Sequence, residues 1–341
     1  MFLLSQSAKI REAWQFFKRE CVTLKAENGE IINSFTRLLN YIYKNMAQTI
    51  NQRIDALRAL LKREGIDAFI IPSTDPHLSE YVAPYWKSRE WISGFTGSAG
   101  TVVITTDKAG LWTDSRYFLQ AEQQLEGSGI DLYKEMLPET PSILDFLREN
   151  LTANSVVGID GKVFSTTQAI ALQEDLAKND ITIKSIADPM NEIWTDRPPM
   201  PEAPAFIHEV KYAGKSCPDK LADIRREMKK SEADVLLVSA LDEIAWALNI
   251  RGNDVHCNPV VVSYLIINEQ ETHFFIQPEK VTEELSAYLE EAGVTIHAYE
   301  DTESFVTKYR TAASCSTWEG RIMPFILPSP LPAGYLTSAH R

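Results

Sequence analysis

The stretch over residues 91–125 constrains the fold of this chain more than any other part of the sequence. Its β-branched residues predict two strands, Thr101–Thr105 and Ala109–Thr113, joined by a short polar turn. Apolar residues then recur at helical spacing, which predicts a helix directly after the second strand. Arg116 lies at this strand-to-helix corner, and such corners commonly form the rim of a ligand crevice in α/β sheets. The stretch therefore predicts an α/β domain with Arg116 at its rim.

Helices and strands alternate on both sides of this stretch, which is typical of α/β folds. The predicted helices cover residues 51–64, with Gly65 as the C-terminal cap, 142–151 and 166–177, and the predicted strands cover residues 68–71, 132–137, 156–159 and 182–186.

The second half of the chain repeats the pattern of the first. Residues 220–238 align with residues 53–71. In this alignment Asp242 occupies the position equivalent to Asp75. A second hairpin is predicted over residues 260–276, with a polar turn between its strands. The repetition predicts two α/β domains related by duplication.

A proline-rich segment separates the two predicted domains. It spans residues 189–204 and contains five prolines, which predicts a stiff connector rather than a helix or a strand. The domains are accordingly placed at residues 46–188 and 205–307.

The two ends of the chain do not follow the repeated pattern. Residues 1–45 are interpreted as an extension preceding a natural start at Met46, the alternative being a short helical appendage. Residues 308–341 show no sustained period and are predicted to be irregular. Either a shift of reading frame or a natural flexible terminus accounts for that tail.

Five sequence blocks, in order, give the chain a family resemblance. They read IPSTDPHLSEYVAP, SGFTGSAGT, LWTDSRYFLQA, IWTDRP and LDEIAWALNIRG. The chain resembles the N-terminal two domains of the Xaa-Pro aminopeptidases, of the creatinase superfamily. The resemblance implies two tandem creatinase N-terminal-like domains, each a mixed sheet flanked by helices.

The same resemblance implies where the family's chemistry takes place. Intact members remove the N-terminal residue that precedes proline, with two divalent ions, expected to be manganese, held by carboxylates and a histidine in a third domain. From Arg310 onward this chain has a single acid, Glu319, and a single histidine, His340. We therefore expect no metal site and no catalytic residue in this chain, and hence no peptidase activity of the chain alone.

The remaining metal-binding residue types give a weak signal. His77, His208, His256, His273 and His297 are dispersed, and no two of them lie at a ligand-like interval. The adjacent pair at residues 256–257 is interpreted as structural, and the four cysteines are predicted to be reduced thiols.

Arg116 is the one residue predicted to bind substrate. The resemblance implies that the arginine at this position reaches toward the peptide, where a guanidinium can hold a carbonyl or carboxylate oxygen. The alternative is that Arg116 pairs with Asp114 and fixes the corner. Asp242, Glu243 and Arg251 form a second candidate charge network, interpreted as structural.

Composition limits the classes of partner. The formal net charge of −13 argues against nucleic acid or an anionic membrane as the main partner, and no apolar run is long enough to span a bilayer. Proline-containing peptides are the partners that the resemblance implies; formation of a homo-oligomer stays open, and a cytoplasmic location is expected. The chain is predicted to be the non-catalytic N-terminal portion of an Xaa-Pro aminopeptidase-like protein, the alternative being a binding or scaffold protein without catalysis.

Overall fold

The structure, a computed structural model, describes residues 49–313 and the side chains of residues 49–307. The first domain contains, in chain order, α1 (Ile50–Glu64), β1 (Ala68–Ile71), α2 (Ser88–Ser93), β2 (Thr101–Thr105), β3 (Ala109–Thr113), α3 (Phe118–Gln124), β4 (Asp131–Lys134), α4 (Ile143–Asn150), β5 (Val156–Asp160), α5 (Thr166–Ala177) and β6 (Thr182–Ile186).

These strands form one mixed sheet of six strands in the order β4-β3-β2-β1-β5-β6. The neighbours β1–β2 and β2–β3 are antiparallel, whereas β3–β4, β1–β5 and β5–β6 are parallel. Buried aliphatic and aromatic side chains on the sheet, including Val103, Trp112 and Val157, pack against Leu147 of α4 and Leu176 of α5. The predicted hairpin of β2 and β3 is confirmed residue by residue.

The second domain contains β7 (Phe206–Ile207), α7 (Val210–Ala213), α8 (Cys217–Lys230), β8 (Val235–Val238), α9 (Leu241–Leu248), β9 (Ile250–Arg251), β10 (Ser263–Asn268), β11 (Thr272–Ile276), α10 (Glu283–Glu291), β12 (Val294–Ala298) and α11 (Thr302–Ala313), with α6 (Met190–Ile193) preceding them. Its four-stranded sheet has the order β12-β11-β10-β8.

This second sheet repeats part of the first. Strands β8, β10, β11 and β12 follow the same order and directions as β1, β2, β3 and β4, with two antiparallel pairs and then a parallel pair. The related hairpin predicted for the second half is confirmed as β10 and β11. The fold is therefore two tandem α/β domains with mixed sheets flanked by helices, and the first domain adds β5 and β6 at the β1 edge.

The proline-rich segment differs from its prediction. Residues 190–193 form helix α6, and Trp194 stacks on the buried Trp91 of α2 with ring centroids 5.1 Å apart. Pro189 can open a helix because the first turn needs no intrahelical N–H donor, and burial of two indole rings then fixes the segment on the first domain. The residues from 195 to 205 contain no helix or strand.

The C-terminal ends of one strand and one helix also differ from the predicted ends. Strand β4 ends at Lys134, since Met136 adopts a positive φ of 69° that no strand accommodates. At the other end, helix α11 continues to Ala313, into the segment predicted to be irregular, because residues such as alanine favour helix. The predictions for residues 1–45 and for residues 314–341 lie outside the described part of the chain.

Candidate functional site

Arg116 lies on the surface between β3 and α3, as the sequence predicts. Its Nε and Nη2 donate to the two carboxylate oxygens of Asp114, at 2.9 and 2.7 Å, and the side chain is 66% exposed. The guanidinium also lies over the ring of Tyr117, 5.2 Å from its centroid. Hydrogen bonds from Arg116 lower the pKa of the Asp114 carboxyl. Arg116 is therefore oriented at the corner while most of its surface faces solvent.

The loop that precedes β2 borders this corner. The hydroxyl groups of Ser98 and Tyr117 are hydrogen-bonded at 2.7 Å, which lowers the pKa of Tyr117. The ring of Phe95 meets that of Tyr117 edge to face at 5.9 Å. A side chain at Gly97 would place its Cβ 2.2 Å from the Phe95 ring, so only glycine fits there. The glycine-rich sequence thus lets the loop close on the residue that follows Arg116.

Arg89 holds the same loop from inside. It is buried, and it donates from Nη1 to the carbonyl oxygen of Phe95 at 2.5 Å, from Nη2 to that of Gly97, and from Nε to the hydroxyl of Ser73 at 2.9 Å. Burial lowers the pKa of Arg89 to about 10. The sequence does not predict this role for Arg89, because a buried arginine looks in sequence like any surface cation.

A buried histidine joins the two domains. The imidazole Nδ1 of His77 lies 2.9 Å from the carbonyl oxygen of Ser239, and its Nε2 lies 3.0 Å from the hydroxyl of Tyr299. A carbonyl can only accept, so Nδ1–H donates to Ser239 and the Tyr299 hydroxyl donates to Nε2. Burial lowers the pKa of His77 to about 4, which keeps the ring neutral. His77 was among the dispersed histidines in sequence, and its role depends on contacts with the other domain.

Asp75 supports His77 from the same turn. Its side chain is completely buried, and Oδ1 accepts hydrogen bonds from the backbone N–H groups of His77 and Ser79, both at 2.9 Å. The ring of Tyr264, from β10, lies against His77 with centroids 4.5 Å apart. Burial raises the pKa of both Tyr264 and Tyr299. The two phenol groups are therefore neutral at pH 7, as is the imidazole of His77.

A cleft of about 520 Å³ opens beside this cluster, between the two domains. The first domain contributes Asp160, at the end of β5, and Asp188, which follows β6. The second domain contributes Tyr264, Tyr299 and acidic side chains near the start of α11. Burial, followed by the nearby charge of Asp188, raises the pKa of Asp160 to about 6.

Two of the histidines that are far apart in sequence are close together in the structure. His273 of β11 and His297 of β12 are neighbours, with Nδ1 of the first 3.0 Å from Nε2 of the second, because parallel pairing of the two strands brings them together. His273 also lies 3.3 Å from a carboxylate oxygen of Glu271. Their contact arises from strand pairing, and no ligand-like interval in the sequence marks it.

Even so, the described residues do not fit a metal centre. Within residues 49–307, no three histidine, cysteine, aspartate or glutamate side chains converge in a way that could hold an ion. His256 and Cys257 are both exposed in a loop. A dinuclear centre bridged by carboxylates therefore has no donor set in this part of the chain.

The second candidate charge network is not formed. Arg251 donates from Nη1 to the carbonyl oxygens of Ala245 and Ile250, both at 2.8 Å, rather than to a carboxylate. Asp242 and Glu243 are exposed in the first turn of α9, where negative charge complements the helix dipole. The interpretation of these three residues as structural stays a prediction.

Comparison with known proteins identifies the family. A family model for the creatinase/prolidase N-terminal domain matches residues 53–193, and a second model with the same description matches residues 196–327. The chain belongs to the creatinase/prolidase family. Each of the two domains described above is a creatinase-type N-terminal domain.

Individual relatives narrow the assignment. Aminopeptidase P2 of Arabidopsis thaliana is 41% identical over 256 residues, which are 74% of this chain and 36% of the relative. Xaa-Pro aminopeptidase 1 of Dictyostelium discoideum is 40% identical over 259 residues, covering 73% of this chain and 41% of the relative. The chain is thus an Xaa-Pro aminopeptidase-like N-terminal region that spans less than half the length of these relatives.

A solved structure agrees with this assignment. The X-prolyl aminopeptidase of Caenorhabditis elegans superposes with a TM-score of 0.75 at 32% identity, over 79% of this chain and 45% of that protein. It is described as a cytosolic enzyme with a di-nuclear active site. In the part of the creatinase-type chain that the structure describes, no helix has the length and apolar character needed to cross a membrane.

Proposed function

We propose that this chain is the substrate-positioning N-terminal region of an Xaa-Pro aminopeptidase-like protein, and that it does not cleave peptide bonds by itself. One observation carries the proposal: Arg116 presents an oriented, largely exposed guanidinium at the rim of the first domain. Inactivity of the chain alone is supported by the lack of a fitting donor set for two metal ions among the described residues.

Arg116 is suited to contact a peptide without taking part in bond cleavage. Its Nε and Nη2 are engaged by Asp114, and within residues 49–307 no acceptor bonds to Nη1. Nη1 can therefore donate to a carbonyl or carboxylate oxygen of a peptide while the pair with Asp114 keeps the guanidinium plane fixed. In the whole protein, the divalent ions would be held by residues outside this described region.

The proposed ligands are proline-containing peptides, since the relatives are Xaa-Pro aminopeptidases. A cytoplasmic location is proposed from the relative that is described as a cytosolic enzyme.

The first experiment is an aminopeptidase assay of the purified chain on Ala-Pro-Ala with added manganese, with a full-length Xaa-Pro aminopeptidase as positive control. We expect no release of alanine above the blank. Turnover by the chain would overturn the proposed inactivity, because it would place a catalytic centre within these 341 residues.

The second experiment tests Arg116 by titrating Ala-Pro-Ala into the chain and into Arg116→Gln. Arg63→Gln is the matched control, because Arg63 is likewise an exposed arginine paired through two hydrogen bonds, with Glu192 at 2.8 and 2.7 Å. We expect Arg116→Gln alone to weaken binding. Equal binding by all three proteins would contradict the substrate contact.

A further inference from the structure

The cleft between the two domains has the size of a small-molecule site. Its volume of about 520 Å³ falls within the range of pockets that enclose organic ligands. Arg116 does not line it, and β3, which precedes Arg116, is separated from β5, which ends at Asp160, by two strands of the sheet. The cleft therefore requires an explanation other than the proposed peptide contact.

The charges that line the cleft are mainly negative. Four acids line it, namely Asp160, Asp188, Glu300 and Glu303, against one base, Lys162. Two of the acids have cationic partners, because Asp188 lies 2.7 Å from Arg197 and Glu303 lies 3.8 Å from Lys162.

Asp160 is different, because its carboxylate is only partly satisfied. Oδ1 accepts a hydrogen bond from the backbone N–H of Lys162 at 3.0 Å. No group in the described part of the chain donates a hydrogen bond to Oδ2, and the residue is half-buried beside the cleft. A carboxylate in that position is stabilised when a cation approaches it.

The walls of the cleft are aromatic. Tyr264 and Tyr299 stack with centroids 5.3 Å apart, and Tyr85 lies on the opposite domain. The Arg197 guanidinium already lies 3.8 Å from the centroid of the Tyr85 ring. Tyr85, which lines the cleft, thus already contacts a planar cation, as the quadrupole of such rings favours.

We propose that the interdomain cleft binds an organic cation, a guanidinium or primary ammonium group on an apolar body, with Asp160 as its counter-ion and Tyr264 and Tyr299 as its walls. This site goes beyond the proposed function, since it requires neither the peptide contact nor metal chemistry. It also connects the domains, because Asp160 belongs to the first domain whereas Tyr264 and Tyr299 belong to the second.

Binding of the cation is expected to depend on pH. The pKa of Asp160 is raised to about 6 by burial and by the charge of Asp188, whereas Lys162 and Arg197 act in the opposite direction, and Tyr264 faces it from the second domain. A cation favours the ionised form of Asp160, so affinity falls as the pH is lowered through about 6. The exposed Glu300 and the half-buried Glu303 add to the attraction at neutral pH.

The test uses the full chain and two matched probes, N-acetyl-L-argininamide and its neutral isostere N-acetyl-L-citrullinamide. Calorimetric titration at neutral pH should give saturable binding of the first and about tenfold weaker or no binding of the second. Equal binding of the two probes, or no saturable binding of the cationic one, overturns the proposal.

Asp160→Asn identifies the counter-ion. Asparagine keeps the oxygen that accepts from Lys162, so the turn is retained while the charge is lost. We expect about tenfold weaker binding of the argininamide, with no change for Asp131→Asn, an exposed aspartate on β4 at the far edge of the sheet. Unchanged affinity in Asp160→Asn contradicts the assignment of the counter-ion.

A second variant keeps the test independent of that residue. Ala187→Trp inserts a large ring from the exposed backbone that lines the cleft, and it should abolish binding while the circular dichroism spectrum stays the same. Normal binding by this variant would place the cation elsewhere on the protein and refute the site.

Discussion

The two domains share one sheet topology but hold their equivalent loops in different ways. In the first domain, the loop before β2 is fixed by the buried Arg89, which donates to two loop carbonyl oxygens. In the second domain, the loop before β10 is fixed by a fully buried ion pair, with Lys280 Nζ 2.5 Å from Asp254 Oδ2. The same Asp254 oxygen accepts from the backbone N–H of Val262 at 2.6 Å.

The corners that follow the hairpins differ as well. Strands β3 and β11 have five residues each, so the position of Arg116, three residues after β3, corresponds to Glu279 after β11. Both side chains are exposed, but their charges are opposite. A common scaffold thus presents different chemistry at its corners, and function must be argued from those side chains rather than from the fold.

The largest expected effect concerns the loop of the second domain. Lys280→Met leaves Asp254 buried without its partner and should reduce the free energy of unfolding by about 3–5 kcal/mol. Urea unfolding followed by tryptophan fluorescence measures the loss. Lys230→Met is the control, since Lys230 forms an exposed pair with Glu227 in the same domain. A loss no larger than that of the control would show that the buried pair does not stabilise the loop.

The second effect concerns the loop of the first domain. Arg89→Met removes three donated hydrogen bonds and should cost about 2–4 kcal/mol, because buried carbonyl oxygens lose their partners. Hydrogen exchange should accelerate at residues 93–100. Arg225→Met, which removes bonds to the hairpin of the second domain, should leave those amides unchanged. Faster exchange in both variants would mean that the loops are not held independently.

The third effect is a pair of opposite pH dependences at the interdomain contact. His77 has a pKa of about 4 in the folded protein, below its ordinary value of 6.5, because it is buried. The unfolded chain therefore binds more protons between these values, and stability from this source falls as the pH drops from about 6.5 to about 4, by up to about 3 kcal/mol. His77→Gln should remove this loss in unfolding curves measured across that range. A slope that is unchanged in the variant would exclude His77 as its source.

Ionisation of Asp160 should change the stability of the fold with pH in the opposite direction to that of His77. The pKa of Asp160 is raised to about 6, so the folded state binds more protons between its ordinary value and 6, and stability falls as the pH rises through that interval. Asp160→Asn should therefore be more stable than the parent chain at neutral pH, by about 1–2 kcal/mol. Thermal unfolding of both proteins at pH about 7 measures this difference in stability. A less stable variant would show that the carboxylate supports the fold rather than a ligand.

The smallest effect is expected at the exposed corner. Arg116→Gln should leave the unfolding midpoint within error of the parent, as should Arg63→Gln, because exposed ion pairs contribute little to stability. The same urea titrations provide the comparison. A clear loss in Arg116→Gln alone would favour a structural role for the pair with Asp114.

Local patterns in the sequence predicted much of the fold. The hairpin of β2 and β3, helix α5 and strand β6 were placed to the residue, because β-branched runs and helical spacing are local signals. The internal repeat identified β8 as the equivalent of β1 and predicted the second hairpin. It also equated Asp242 with Asp75, yet Asp242 is exposed whereas Asp75 is completely buried.

The contacts of the candidate-site residues were predicted less well from the sequence than the helices and strands were. His77 bonds to partners 162 and 222 residues away in the chain, and no local pattern encodes such contacts. The neighbours His273 and His297 become visible only once β11 and β12 are known to be parallel and their register is fixed. Arg116 was placed correctly at its corner, and its role in binding peptide stays a prediction.

An NMR titration of the isotope-labelled chain with Ala-Pro-Ala tests most directly whether the first domain positions the peptide. We expect shift changes at Arg116, Tyr117 and Ser98 in the first domain, and none at the corresponding corner of the second domain, residues 277–280. Changes centred on the second corner, or none at either, would contradict the claim that the first domain positions the substrate.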